Sequence, residues 1–118
     1  MIKRENRLKK NKHFNYIYKH GQSVRCGEVS LVYIKLKIKP YKVGFSVSNK
    51  VGKSVVRSKV KRRMSEAFKL LDNQKIIDRR YKYIFIAKEG IAEKTFLEIK
   101  DMMYLCVKKA GIINEDCN

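Results

Sequence analysis

The residues with the most evident chemistry are the cations of one predicted helix, which begins near Val55. Its first turns hold Arg57, Lys59, Lys61, Arg62 and Arg63. The first carboxylate that could pair with them inside the helix is Glu66, and cations in a first turn oppose the helix dipole at about 0.3 to 1 kcal/mol each. Phosphates would supply the missing anions, because they accept hydrogen bonds from Arg, Lys and free helix N–H groups. This pattern therefore favours a helix that binds a polyanion over a helix whose cations contact only solvent.

Three aromatic residues are candidates for stacking on nucleic-acid bases. Phe14 and Tyr18 lie one turn apart on a predicted helix, and Tyr33 shares a predicted strand face with Lys35 and Lys37. Rings next to cations are typical of proteins that bind single-stranded nucleic acid. Rings on an apolar helix edge are more often core residues. Tyr33 is therefore the best candidate of the three on residue chemistry alone.

Candidate catalytic groups are sparse. His13 and His20 could form an acid–base pair, but seven helical residues separate them by about 10 Å. Cys26, Cys106 and Cys117 form no C-x-x-C pair, and the histidines and cysteines do not cluster in sequence as zinc ligands would. The basic half has no pair of acids for a catalytic metal, and we find no glycine-rich phosphate loop or nucleophile elbow. The pattern predicts binding chemistry without a protein-held metal.

The distribution of charge supports a polyanionic partner. The 118 residues include 29 basic and 11 acidic side chains, a net charge of +18. Residues 1–65 carry 19 basic and 2 acidic side chains, whereas residues 66–118 carry 10 and 9. The odd number of cysteines fits a reducing cytosol, and no apolar run approaches the ~20 residues of a membrane span. We therefore expect a cytoplasmic protein with no membrane partner.

The elements that would position these residues form an α+β pattern. Asn11 is the predicted N-cap of a first helix that runs to about residue 20, and further helices are predicted over 55–71 and 96–110. Strands are predicted over 29–38, 43–48 and 81–87, and the apolar run at 83–87 is typical of a central strand buried on both faces. Ser54 is the predicted N-cap of the second helix, and Thr95 with Glu98 forms a predicted capping box for the third. The order strand, helix, strand over 43–87 has the spacing of a parallel crossover.

The fold predicted from this pattern is a single α+β domain over 1–118. We expect a mixed sheet of about four strands, packed by about three helices. The strand over 29–38 should have a core face with Val32 and Ile34 and an opposite basic-aromatic face with Tyr33 and Lys35. The small residues Gly44, Ser46 and Ser48 should leave one face of the next strand open. A basic arm at 1–8 and a tail at 112–118 are expected to be flexible.

Residues 43–68, VGFSVSNKVGKSVVRSKVKRRMSEAF, closely resemble the signature of the bacterial ribonuclease P protein component family. RLKKNKHFNYIYKHG at 7–21 is similar to that family's first helix, and YKYIFIAK with the following helix to its remainder. The resemblance spans about 7–109. It implies an α+β fold whose βαβ crossover is left-handed, where the general rule predicts a right-handed one. It also implies a ribonucleoprotein that removes the 5′ leader of precursor tRNA, in which the RNA subunit holds Mg²⁺ and catalyses.

The resemblance assigns residues to two kinds of RNA contact. The residues implied to bind the RNA subunit are Lys50, Lys53, Arg57, Ser58, Lys59, Lys61 and Arg62. The family's Arg-Asn-Arg core falls on Arg57, Ser58 and Lys59, so two positions depart from it, and Asn49 stands where the loop usually has Lys. A cleft lined by Phe14, Tyr18 and Tyr33, with Lys35 beside it, is implied to bind the single-stranded leader.

Three functions follow for testing. The preferred hypothesis is a cytoplasmic subunit of ribonuclease P whose partners are the ribonuclease P RNA and precursor tRNA, with no obligate protein partner and no catalysis by the isolated chain. The second is a structural RNA-binding protein of ribosomal type, with no discrimination of the leader. The third is a self-sufficient nuclease that would depend on His13 or His20.

Overall fold

Three helices and four strands make up the described part of the chain. The computed structural model describes residues 7–8, 11–35, 41–78 and 80–111. The elements are α1 (Asn11–His20), β1 (Gln22–Cys26), β2 (Val29–Lys35), β3 (Val43–Val47), α2 (Ser54–Asn73), β4 (Tyr81–Ala87) and α3 (Phe96–Ala110). None of the helices in these ranges combines the length and apolar character that a bilayer span requires.

The four strands form one mixed sheet in the order β1-β2-β4-β3. The pairs β1–β2 and β2–β4 are antiparallel, and β3 and β4 are parallel. The predicted α+β class, the strand–helix–strand crossover and the central position of β4 are confirmed. The hairpin strand β1 was not assigned from the sequence, because its short segment is mostly exposed and has little apolar periodicity. It joins β2 through Gly27, whose φ of 59° suits a two-residue hairpin loop.

Helices cover both faces of the sheet, so the protein has two apolar clusters. The larger cluster lies between the sheet and helices α2 and α3, and includes Val29, Leu31, Val43, Phe45, Val60, Met64, Phe68, Tyr83, Phe85, Ile99 and Met103. The smaller cluster lies under α1 and comprises Leu8, Ile17, Val32 and Ile84, with Phe14 packed against it. Neighbouring residues of β4 alternate between the clusters, which explains the continuous apolar run of that strand.

The two faces of β2 differ from the prediction. Val32 and Ile34 lie against the smaller cluster, while Val29 and Leu31 belong to the larger one. The side of β2 that carries Tyr33 is therefore the main core side, not an open basic-aromatic surface. Alternation shows that a strand has two faces, but it does not show which helix covers each face. Residues 36–40 of the predicted strand lie outside the described residues.

The helix ends confirm one predicted cap and correct two others. Asn11, predicted as an N-cap, is the first residue of α1. At α3, Glu98 N–H donates to Thr95 Oγ1 at 3.1 Å and Thr95 N–H donates to Glu98 Oε1 at 3.0 Å, so the predicted capping box is present. At α2, Ser54 is the first helical residue, and Lys53 occupies the N-cap without a side-chain hydrogen bond. The predicted Ser54 cap is therefore wrong.

The described part of the predicted N-terminal arm is held against β3. Leu8 N–H donates to the Val43 carbonyl at 2.9 Å, and the Leu8 side chain is buried. Arg7 forms a parallel bridge with Val43. The expected flexible arm therefore does not extend to residues 7 and 8, and the rest of the predicted arm and the tail at 112–118 lie outside the described residues.

Candidate nucleic-acid interface

A cleft between α1 and the edge strand β3 contains two of the predicted aromatic residues. Its volume is about 650 Å³. It is lined by Arg7, Leu8, Phe14, Asn15, Tyr18, Val43, Gly44, Phe45, Ser46, Val47 and Lys61. The rings of Phe14 and Tyr18 are 6.3 Å apart between centroids, and Tyr18 is 42% exposed. The Phe14 and Tyr18 rings thus share one open concavity with two cations, Arg7 and Lys61.

The small residues of β3 create the space for this cleft. A Cβ atom on Gly44 would lie 2.6 Å from Cζ of Phe14 and 3.1 Å from Cβ of Leu8. Only glycine therefore lets the Phe14 ring lie against the strand in this position. The face of β3 predicted to be open is open only in part, because Ser46 lines the cleft whereas Gly44 is buried beneath Phe14 and Leu8. Helix α1 forms the wall above it.

Tyr33 and Lys35 lie elsewhere. The side chain of Tyr33 projects from the sheet face opposite α1, where its ring packs 6.1 Å from that of Tyr81 and its hydroxyl donates to Gln22 Oε1 at 2.9 Å. Tyr33, Lys35, Tyr81 and His20 line a separate cavity of about 330 Å³. The expectation of one cleft that holds Phe14, Tyr18, Tyr33 and Lys35 is therefore wrong. The role of each residue in leader binding stays a prediction.

The predicted RNA-binding cations surround the first half of α2. Lys50, Lys53, Ser58, Lys59, Lys61 and Arg62 are exposed, and Arg57 is half-buried. Each helical residue advances about 100°, so Lys59 and Lys61 point about 160° apart. Lys61 lines the cleft, Lys59 lies on the far flank, and Arg62 lies between them. One flat surface cannot contact all of these side chains, so they divide into a cleft side and an outer side.

Arg57 is a structural cation as well as a candidate RNA contact. Its Nε–H donates to the Gly52 carbonyl at 3.2 Å, and its Nη1–H donates to Asn49 Oδ1 at 2.9 Å. Asn49, Asn15 and Arg7 were not assigned to either site from the sequence. The sequence around these residues does not distinguish them from other asparagines and arginines, because they join the site only when the chain folds.

No group of three or more His, Cys, Asp or Glu side chains is arranged to hold a metal ion within the described residues. His13 and His20 are exposed on α1, and the His20 ring lies 4.5 Å from that of Tyr16. The Cys106 thiol donates to the Val29 carbonyl at 3.5 Å, and burial raises its pKa to about 12, which disfavours a reactive thiolate. The candidate interface presents Arg, Lys, Phe and Tyr side chains.

The chain is similar to known proteins of one family. The family model described as Ribonuclease P matches residues 2–111. The ribonuclease P protein component of Clostridium botulinum (strain 657 / Type Ba4) is 39% identical over 111 residues, covering 94% of this chain and 99% of the relative. That of Clostridium beijerinckii is 40% identical over 118 residues, covering 93% and 92%.

Two solved structures extend the similarity to the fold. The Staphylococcus aureus RNase P protein superposes with a TM-score of 0.81 at 34% identity, covering 92% of this chain and 98% of the other. An S. aureus RNase P protein mutant with defective mRNA degradation activity superposes with a TM-score of 0.80 at 32% identity, covering 91% and 89%.

Proposed function

Because this chain belongs to the ribonuclease P protein family, we propose that it is the protein subunit of ribonuclease P. It binds the ribonuclease P RNA and the 5′ leader of precursor tRNA, and it promotes endonucleolytic 5′ maturation of tRNA. It works in the cytoplasm and needs no further protein partner.

The cleft between α1 and β3 is the observation that carries the leader assignment. Phe14 and Tyr18 present rings on which bases can stack, and Arg7 and Lys61 line the same cleft with cations for the phosphates. Stacking beside a basic groove binds single strands with little sequence preference, as a tRNA leader of variable sequence requires.

The outer side of α2 and the loop before it are assigned to the RNA subunit. Lys50, Lys53, Lys59 and Arg62 are exposed there. The sequence contains no carboxylate between Glu28 and Glu66, so no acidic neighbour along this segment competes with phosphates for these cations. This division lets one protein contact the catalytic RNA and the substrate leader together.

We assign catalysis and Mg²⁺ to the RNA subunit. Lys, Arg, Phe and Tyr side chains bind phosphates and bases, whereas Mg²⁺ prefers carboxylate and phosphate oxygens. The protein then contributes affinity and orientation of the substrate.

The deciding experiment is cleavage of precursor tRNA at low Mg²⁺ concentration. Three reactions are compared: this protein alone, a bacterial ribonuclease P RNA alone, and the two together. We expect a mature 5′ end in the mixture only. An active RNA that gains nothing from the protein would favour the structural RNA-binding alternative.

A self-sufficient nuclease is the second candidate. It is favoured by the S. aureus mutant named for defective mRNA degradation activity. The protein-alone reaction therefore also includes an mRNA substrate. Cleavage there that is lost in His13→Ala or His20→Ala would establish this activity for the chain.

A further inference from the structure

The loop between β3 and α2 is organised by one arginine of the helix. Arg57 donates to Asn49 Oδ1 at 2.9 Å and to the Gly52 carbonyl at 3.2 Å, and its own N–H donates to the Lys53 carbonyl at 2.9 Å. The two side-chain bonds hold both ends of the segment 49–52 against the first turn of α2. Directly before the segment, Ser48 Oγ accepts from Lys50 N–H at 3.2 Å and caps the short 3₁₀ helix Asn49–Val51.

The two acceptors of Arg57 stand directly before the two lysines of the loop. Asn49 precedes Lys50, and Gly52 precedes Lys53. Both lysines are exposed, whereas Arg57 is half-buried. The two hydrogen bonds of Arg57 therefore hold the residue directly before each lysine.

Neutral acceptors suit this position in a way that a carboxylate would not. An amide oxygen and a backbone carbonyl orient the guanidinium without cancelling its charge. Two of the five guanidinium N–H groups are used in these bonds, so three remain for a phosphate. The arrangement ties the loop that carries Lys50 and Lys53, whose like charges repel each other, to the first turn of α2.

We propose that Asn49 is a positioning residue for RNA binding, which acts through Arg57 to hold Lys50 and Lys53 toward the phosphates of one RNA segment. This inference rests on the proposed function. It makes the neutral residue Asn49 part of the electrostatic interface although it carries no charge.

The test uses a substitution that leaves the net charge unchanged. Binding of the full chain to ribonuclease P RNA is measured as a function of salt for wild type, Asn49→Ala and the matched control Asn73→Ala, an exposed asparagine at the far end of α2. The slope of log K against log salt counts phosphate contacts, at about 0.7 to 0.9 each. We expect Asn49→Ala to reduce the slope by about 0.7 to 1.8, equivalent to one or two contacts, and Asn73→Ala to leave it unchanged.

A double-mutant cycle separates positioning from direct contact. Arg57→Lys keeps the charge but loses the planar fork that reaches both acceptors. If Asn49 acts through Arg57, Asn49→Ala has no further effect in the Arg57→Lys background. Additive losses, or a weaker affinity with an unchanged salt slope, would overturn the proposal. Circular dichroism and the melting temperature of each variant show that the fold is intact.

Different results would contradict the proposed function and the proposed role of Asn49. If wild type binds ribonuclease P RNA no better than an unrelated RNA of equal length, the proposed function fails and the role of Asn49 fails with it. If wild type binds specifically and Asn49→Ala matches it in affinity and slope, the role of Asn49 alone is overturned.

Discussion

At the residue scale, two tyrosines of α1 offer a matched test of leader binding. Tyr18 lines the cleft and is 42% exposed, whereas Tyr16 is 48% exposed and packs near His20 away from it. We expect Tyr18→Ala to weaken binding of precursor tRNA to the reconstituted ribonucleoprotein by about fivefold or more, because stacking contributes about 1 to 3 kcal/mol per base. Binding of mature tRNA, which has no leader, should not change.

The dissociation constants of precursor and mature tRNA provide the measurement. Tyr16→Ala is the control and should behave as wild type with both. Equal losses for the two tRNAs, or equal effects of the two substitutions, would remove Tyr18 from the leader site.

The carboxylate of Asp78 is the clearest pH-sensitive group of the described residues. Asp78 is buried, and Arg80 Nη2–H donates to its Oδ2 at 2.7 Å. This hydrogen-bonded pair holds the Asp78 pKa below its usual value despite the opposing effect of burial. The unfolded chain then binds more protons than the folded chain at acid pH, so stability rises with pH through the range below the ordinary Asp pKa.

Replacing Asp78 tests this relation. We expect Asp78→Asn to be less stable than wild type at neutral pH and to show a flatter loss of stability between about pH 5 and pH 2. Urea unfolding across that range measures it. Asp101→Asn removes an exposed carboxylate of α3 and serves as the control. If the unfolding free energy of Asp78→Asn falls with acid pH as steeply as that of wild type, other carboxylates determine the acid sensitivity.

At the scale of elements, the junction of α1 with the sheet depends on the absence of a side chain at Gly21. A Cβ atom there would lie 2.6 Å from the Ile17 carbonyl oxygen and 2.7 Å from that of Tyr33. Both atoms belong to the backbone, so α1 or β2 would have to move. We expect Gly21→Ala to lower the free energy of unfolding by about 3 kcal/mol.

Gly111 is favoured by its backbone conformation, whereas Gly21 is required by close contacts. It ends α3 with φ of 74°, and a Cβ atom there would meet nothing within 4 Å. Gly111→Ala should cost only the left-handed backbone conformation, about 1 kcal/mol. Urea denaturation of both variants gives the comparison. A larger loss of unfolding free energy in Gly111→Ala than in Gly21→Ala would contradict the close approach of α1 and β2.

At the scale of the whole molecule, the net charge of +18 should have opposite effects on folding and on binding. The folded chain concentrates cations around α1, the loop 48–53 and α2, so salt screens their repulsion and should raise the melting temperature. The same salt competes with RNA. The RNA-subunit site has five candidate cations, Lys50, Lys53, Arg57, Lys59 and Arg62, so we expect a binding slope of about −3.5 to −4.5 in log K against log salt.

Filter binding and thermal melting between about 50 mM and 200 mM salt measure the two effects on the same samples. A protein of similar charge that lacks a specific RNA-binding site would also show the rise in melting temperature. Its salt slope for ribonuclease P RNA would, however, be close to its slope for a nonspecific RNA. A slope near −1 would contradict a multi-cation interface.

The predictable part of the fold is the part encoded by local chemistry. The Thr95–Glu98 capping box, the exposed basic face of α2 and the apolar run of β4 each depend on residues close in sequence, and each is confirmed. The Ser54 cap failed because a capping hydroxyl must meet a free helix N–H in space, and Ser54 is already inside the helix.

The amino-acid sequence by itself determined the α+β class, the basic first half and the residues that resemble the ribonuclease P family. Tertiary packing decided how those residues combine. It placed Phe14 and Tyr18 on one sheet face and Tyr33 on the other, because α1 packs on one side and α2 with α3 on the other. It also joined Asn49 to Arg57. Alternation and charge are properties of a segment, whereas a cleft and a hydrogen bond between segments exist only after distant parts of the chain meet.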